Sequence, residues 1–176
     1  MDIQEKLNSL DYIINKVRDW YVEAGGDLDS NNLSKLKITK LLFFISAVST
    51  SRENPGLLNT FDNFVAMPYG HVESDIQDNT DNSVHYSISK DGLLYKNGIV
   101  EFKSLINDGL EMEIDVAIEK LKTINFELVK YDPFELVDLS HRWQSWKTVF
   151  SLAKRNGRYS MKIPKEMIMV EPKIYI

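Results

Sequence analysis

Cysteine is absent from the 176 residues. Disulfide frameworks, thiolate zinc sites and cysteine nucleophiles are therefore excluded, and a reducing compartment suits the chain. Histidine occurs only as His71, His85 and His141, which limits acid–base and metal schemes. Around none of the 8 glycines can a GxGxxG or GxxxxGK(S/T) phosphate loop be written, and no GxSxG elbow exists. No apolar run approaches the ~18 residues of a membrane-spanning helix. The opening Met1-Asp2-Ile3-Gln4-Glu5 lacks the basic region and apolar run of a secretory signal. A cytoplasmic location away from the membrane is expected.

Positive charge is also in deficit. A net charge of -5 and a pI near 5.3 give a field that does not steer the whole molecule onto polyanions, so nucleic acid is disfavoured as a partner. Two local clusters, Lys35, Lys37 and Lys40, then Lys147, Lys154, Arg155 and Arg158, read as solvated helix faces. The hydrophobic fraction of 43% against 27% charged residues is that of a globular protein. The length fits one domain over residues 1–176 that buries roughly two thirds of its unfolded surface.

Ile3, Leu7, Leu10, Ile14, Val17 and Tyr21 recur at three- and four-residue steps, which predicts a helix to about Ala24 capped by Asp2 and Glu5 and closed by Gly25-Gly26. Leu33 to Thr50 is apolar over more than half of its helical circumference and reads as the most buried helix, paired hairpin-fashion with the first. Phe64 to Met67, ended by Pro68, suits a strand. Tyr69-Gly70 then turns the chain into a short helix from Val72 to about Asp78, which places Tyr69 to His71 at a helix N-terminus.

Alternating Val84, Tyr86 and Ile88, with turn signals at Asp91-Gly92 and Asn97-Gly98, predict a β-meander over Ser83 to Phe102. Helical stripes follow over Met112 to Val129, from Pro133 to Ser140, and from Trp146 to Asn156-Gly157, with a last short helix after Pro164. The tail from Glu171 reads as an added strand or a loose end. The fold class is mainly α with a small β-meander (α+β), built on a helical core.

The chain offers little for catalysis. His71, Glu73 and Asp75 could supply nitrogen and oxygen ligands, yet no second histidine stands at a metal-ligand spacing, and a solvated turn is the better reading. Ser140 and His141 are adjacent, so on a helix they diverge by about 100° and cannot act together as nucleophile and base. Asp138 and His141, at i and i+3, suit a structural hydrogen bond or charge pairing at the helix end. No catalytic, cofactor or metal residues are assigned. Large apolar area for a partner is offered by Tyr69 and Trp143, whereas Trp146 and Phe150 at i and i+4 read as core stripe.

An ordered set of short motifs remains. Lys40-Leu41-Leu42-Phe43 is followed by the apolar run Phe64 to Met67, then by Tyr69-Gly70-His71-Val72, then by Ser140-His141 and Trp146. The set resembles the Panacea domain of the SocA-like antitoxins of bacteria and phages. In that family a KLL-aromatic helix precedes a strand-like segment, an aromatic-Gly-Pro-Val turn, and a Ser/Thr-His followed by tryptophan. Here His71 stands where the family has proline, which restores a backbone N–H and adds a titratable ring.

The resemblance implies a protein without enzymatic activity that neutralises a cognate toxin by binding it. It gives Lys40, Leu41, Leu42, Tyr69, Gly70, Val72, Ser140, His141 and Trp146 structural roles. Tyr69, His71 and Trp143 are the candidates for partner contact. A cellular protease would be a further partner if the protein is a proteolytic adaptor. A phage or mobile-element protein that binds a host factor, and a hydrolase or metal-dependent enzyme centred on His71, Glu73 and Asp75 or on Asp138 and His141, are the alternatives.

Overall fold

The computed structural model describes residues 2–96, 98 and 101–176. Seven α-helices and five short strands are found among these residues. Helix α1 (Ile3–Glu23) begins with both halves of a capping box between Asp2 and Glu5. Its stripe from Leu7 through Leu10, Ile14 and Val17 to Tyr21 is buried. Helix α2 (Lys35–Val48) is capped by the Ser34 hydroxyl, which accepts from the Lys37 backbone N–H. Every residue of α2 from Lys37 onward is buried, so α2 is the core helix that its apolar circumference predicted. Each fully buried Leu or Phe on it contributes about 1.5–3 kcal/mol.

The burial of α2 overturns one expectation. Lys37 and Lys40 do not lie on a solvated face, because both are fully buried. A helix enclosed on all sides takes its cations inside with it. Lys37 Nζ donates to Asn32 Oδ1 at 2.7 Å and lies over the Tyr21 ring, and Lys40 Nζ donates to the His71 carbonyl at 2.6 Å. Burial pulls Lys37 down to about 8 and Lys40 down to about 7.

Strands β1 (Phe64–Met67) and β2 (Gly70–Glu73) form an antiparallel hairpin around Pro68-Tyr69, with Ala66 opposite His71. Tyr69 to His71 therefore turns into a strand and not into a helix N-terminus. The short helix α3 (Ser74–Asn79) starts later, capped by the Glu73 carboxylate. Pairing with β1 satisfies the backbone of residues 70–73 and delays the helix.

Strands β3 (Tyr86–Ile88) and β4 (Leu93–Tyr95) form a two-stranded hairpin turning at Asp91-Gly92. Residues 97, 99 and 100 of the expected meander lie outside the described residues. The buried Asp11 anchors the entry to β3 by accepting from Ser83 Oγ, from the backbone N–H of Val84 and His85, and from the His85 ring.

Helix α4 (Asp108–Ile124) starts under an Asn107 cap and packs Ile114, Ala117, Ile118 and Leu121 inward. It ends at Asn125, and the chain tightens into a 3₁₀ turn where a longer helix was expected. Leu128 and Val129 are buried within that turn, and Trp20 Nε1 donates to the Phe126 carbonyl. Helices α5 (Pro133–His141) and α6 (Gln144–Arg155) follow. Strand β5 (Met161–Lys162) then joins the free edge of β1, giving the sheet order β2-β1-β5, and α7 (Lys165–Val170) ends the helical part. The tail is neither strand nor loose end. Tyr175 is buried against Phe44 and Trp143, and Trp143 Nε1 donates to the Ile174 carbonyl.

Candidate partner-binding site

The motifs set apart in sequence meet at one joint between α2, β2 and α5. Gly70 adopts φ +93°, and a Cβ placed there would stand 2.4 Å from Ser140 Oγ, so β2 approaches α5 more closely than any side chain allows. Ser140 Oγ accepts the His71 backbone N–H at 3.1 Å and lies 2.8 Å from His71 Nδ1. Ser145 Oγ lies 2.8 Å from His71 Nε2. The imidazole stacks on Phe43 with ring centroids 3.6 Å apart and planes 8° from parallel.

Burial first, then the Lys40 charge, pushes His71 well below the ordinary histidine value, so the ring is neutral. A neutral ring with its proton on Nε2 satisfies the whole set, with the Ser140 hydroxyl donating to Nδ1 and Nε2–H donating to Ser145. Ser140 and His71 have the spacing of a nucleophile and its base. Both are fully enclosed, no carboxylate orients the ring, and a second serine occupies its other nitrogen. The arrangement holds α2, β2, α5 and α6 together; in this conformation a substrate has no path to it.

Two further motif residues clamp the hairpin from outside. His141 Nε2 lies 3.0 Å from the Pro68 carbonyl, and Trp146 Nε1 donates to the Met67 carbonyl at 2.8 Å. The two rings stack at 3.8 Å. His141 thus takes a backbone partner in place of the expected Asp138. Burial lowers its pKa, the Pro68 contact opposes this, and the charge of Lys40 adds to the lowering while that of Asp138 works against it. Trp146 and Phe150 pack against the core but are only partly buried, and they stack on each other at 4.9 Å at its outer edge.

The clamped turn presents Tyr69. Its side chain is 58% exposed and meets Phe134, 59% exposed, edge-on at 6.1 Å. The two rings line a groove of about 550 Å³ together with Leu36, Met67, Val72, Lys35 and Lys90. Lys35 Nζ donates to the Gln77 carbonyl. Phe134 was missed in the sequence. It follows Pro133 and lies off the buried positions Leu136, Val137 and Leu139, and that offset is the signal that could have found it.

Two expected contact residues are corrected. His71 and Trp143 are both fully buried, so neither offers surface to a partner in this conformation. Trp143 caps α6 and packs edge-on against Phe43 and Tyr175. Sequence proximity misled here, because Tyr69 lies in the turn before β2 and is left to solvent, whereas His71 lies within β2, all of whose residues are buried.

Glu73 and Asp75 separate from His71 and gather with Asp62 around Lys6. The three carboxylates lie within 4.8 Å of one another, and the buried Lys6 ammonium sits among them at 2.6, 2.8 and 2.6 Å from Asp62, Glu73 and Asp75. Burial pulls Lys6 down, but hydrogen bonds to Asp62, Asp75 and Glu73 push harder and leave it raised. Asp62 is lowered chiefly by its bond to Lys6. Asp75 is raised by burial and lowered more strongly by Lys6 and Asn63. The lysine supplies the positive charge among the three carboxylates, and the solvated turn expected at His71, Glu73 and Asp75 is corrected, because His71 and Glu73 are fully buried.

Residues 38–147, from α2 into α6, match the family model of the antitoxin SocA-like Panacea domain. The chain belongs to this family. The matched span contains the whole joint, the hairpin with Tyr69, and Phe134. The family thus places the chain among antitoxin-like proteins. No curated protein and no solved structure matches it. Among the described residues no helix is long and apolar enough to cross a membrane.

Proposed function

We propose that this protein neutralises a partner toxin by binding it directly, without catalysis, and that the groove under Tyr69 and Phe134 receives an apolar side chain of that toxin. The observation that carries the reading is the exposed aromatic pair, beside a turn whose Met67 and Pro68 carbonyls are held by Trp146 and His141, in the stretch that matches the family. Aromatic residues on a rigid support lose little entropy on binding and dominate hot spots. Net charge supports a basic toxin, since complementary fields speed encounter. The binding unit is the whole chain, residues 1–176 as one domain, because Trp20, Phe44 and Tyr175 belong to one core.

Co-expression with the neighbouring open reading frame tests this. Growth rescue and co-purification are expected for the wild type, and Tyr69→Ala with Phe134→Ala should weaken the complex by roughly 10-fold or more while leaving thermal stability intact. Rescue by a double variant that binds as tightly as the wild type would remove the groove from the interface. Toxin half-life with and without this protein distinguishes plain sequestration from delivery to a protease.

A further inference from the structure

Charge is segregated along this chain. The 27 residues from Leu139 to Lys165 contain none of its 26 Asp and Glu but seven of its 21 Lys and Arg. A net charge of -5 therefore averages a basic segment with a strongly acidic remainder. Helix α6 displays much of the basic segment. Lys147, Ser151 and Lys154 follow one another along α6 at four- and three-residue steps, Arg158 lies just past the helix end, and all four are exposed. The two lysines lie about 10 Å apart along the helix.

These cations are not committed to internal pairing. Among the described residues Lys6, Lys16, Lys122 and Lys130 sit within ion-pair distance of carboxylates, and Lys147, Lys154, Arg155 and Arg158 do not. Beside them the Trp146–Phe150 stack continues to Lys154, whose Nζ lies 5.8 Å from the Phe150 ring centre. Phe150, Lys154, Arg158 and Tyr159 surround a hollow of about 280 Å³. Tyr159, 87% exposed, presents almost its whole ring to solvent there.

We propose that this face binds single-stranded nucleic acid, with the phosphates tracked by Lys147, Lys154 and Arg158 and an unstacked base placed against Tyr159 in the hollow. Unpaired cations beside open aromatic faces are what a single strand requires, because it offers both a charged backbone and exposed base planes. A duplex hides its base planes within the stack and would leave Tyr159 without a partner. An acidic peptide would satisfy the cations and gives no use to the ring hollow. The face is separate from the Tyr69–Phe134 groove.

Fluorescence anisotropy of a labelled 12-nucleotide oligo-dT strand, the matching single-stranded RNA and a 12-base-pair duplex, each titrated with the full chain at several salt concentrations, tests the proposal. Saturable binding to a single strand at low salt is expected, with the duplex about 10-fold weaker or worse. The double variant Lys154→Glu, Arg158→Glu should lose about 10-fold or more in affinity and flatten the salt dependence by about 1.4 log units per decade, at ~0.7 for each phosphate contact released. Tyr159→Ala should lose about 5-fold or more without changing the salt slope.

All three positions are exposed, so circular dichroism melts matching the wild type verify folding. Absence of saturable binding overturns the proposal. So does equal affinity for the duplex or for poly-glutamate, or charge-reversed protein that binds as the wild type does. Toxin co-purification of the charge-reversed protein separates this outcome from failure of the groove reading.

Discussion

Gly70 touches Ser140 so closely that a Cβ on the glycine would lie 2.4 Å from the serine hydroxyl oxygen and 2.9 Å from its Cβ. The same hydroxyl accepts the His71 N–H and meets the His71 ring. One serine on α5 thereby fixes both the path of β2 and the orientation of a ring stacked on the core helix α2.

Gly70→Ala should therefore destabilise the protein by about 2–3 kcal/mol, from left-handed strain and overlap together. In a Ser140→Gly background, which by itself loses the bonds to His71, Gly70→Ala should cost less, because only the strain at φ +93° remains. Urea unfolding midpoints of the wild type, both single variants and the double variant close this cycle and separate the contributions. An equal cost of Gly70→Ala in both backgrounds would mean that overlap contributes nothing.

Lys40 lends the fold a pH dependence with a definite sign. Burial lowers it from 10.5 to about 7, so between these values the unfolded chain holds a proton that the folded chain does not. Wild-type stability should consequently rise with pH across that window, and Lys40→Met should lack that part of the rise. The stability of the variant relative to the wild type should fall by about 1 kcal/mol per pH unit from pH 7 to pH 10, measured by urea titration. Lys37 and Lys173, lowered in the same direction, are common to both proteins and cancel.

Removing Lys6 leaves Asp62, Glu73 and Asp75 facing one another. Lys6→Met should cost about 3 kcal/mol at pH 7. The lowered pKa values of Asp62 and Asp75 contribute stability at neutral pH that the wild type loses as acid protonates them. In the variant, protonation instead relieves repulsion. The gap in melting temperature between the two proteins should narrow from pH 7 to pH 4.5, and a constant gap would show that Lys6 acts through packing alone.

Among the described residues, the Tyr175 hydroxyl is buried without a hydrogen-bond partner, as is Oε1 of Glu171. Burial, and then the Glu171 charge, pushes the phenol pKa upward. Tyr175→Phe keeps the edge-on contacts with Phe44 and Trp143 and removes an unsatisfied polar group, so it should stabilise the fold by about 1 kcal/mol. Thermal melts would register this as a rise of a few degrees, and a fall would oppose it.

The helices were largely legible because their signals are local. The Asp2–Glu5 capping box, the Ser34 cap that follows a polar connection, and Pro133 in a first turn each act within four residues. The strand at Phe64–Met67 was legible from a short apolar run ended by proline. The start of α3 was not, because pairing of β2 with β1 holds Gly70 to Glu73 extended and nothing local announces a partner strand. The aromatic groove was half legible. Tyr69 stands at a turn, whereas Phe134 becomes its neighbour only when α5 packs beside the hairpin, 65 positions later.

The sequence by itself determined the absence of thiol chemistry, the predominance of helix, the identity of the core helix and the family motifs, because composition and the 3.6-residue period are properties of neighbouring residues. Tertiary structure alone decided that Lys40, His71 and Ser140 form one buried joint, that Trp143 packs inside while Tyr69 faces solvent, and that Lys6 fills the space among three carboxylates. Those outcomes depend on contacts between residues 31 to 74 positions apart. Such contacts arise only when buried polar groups from distant segments must find partners within the same core.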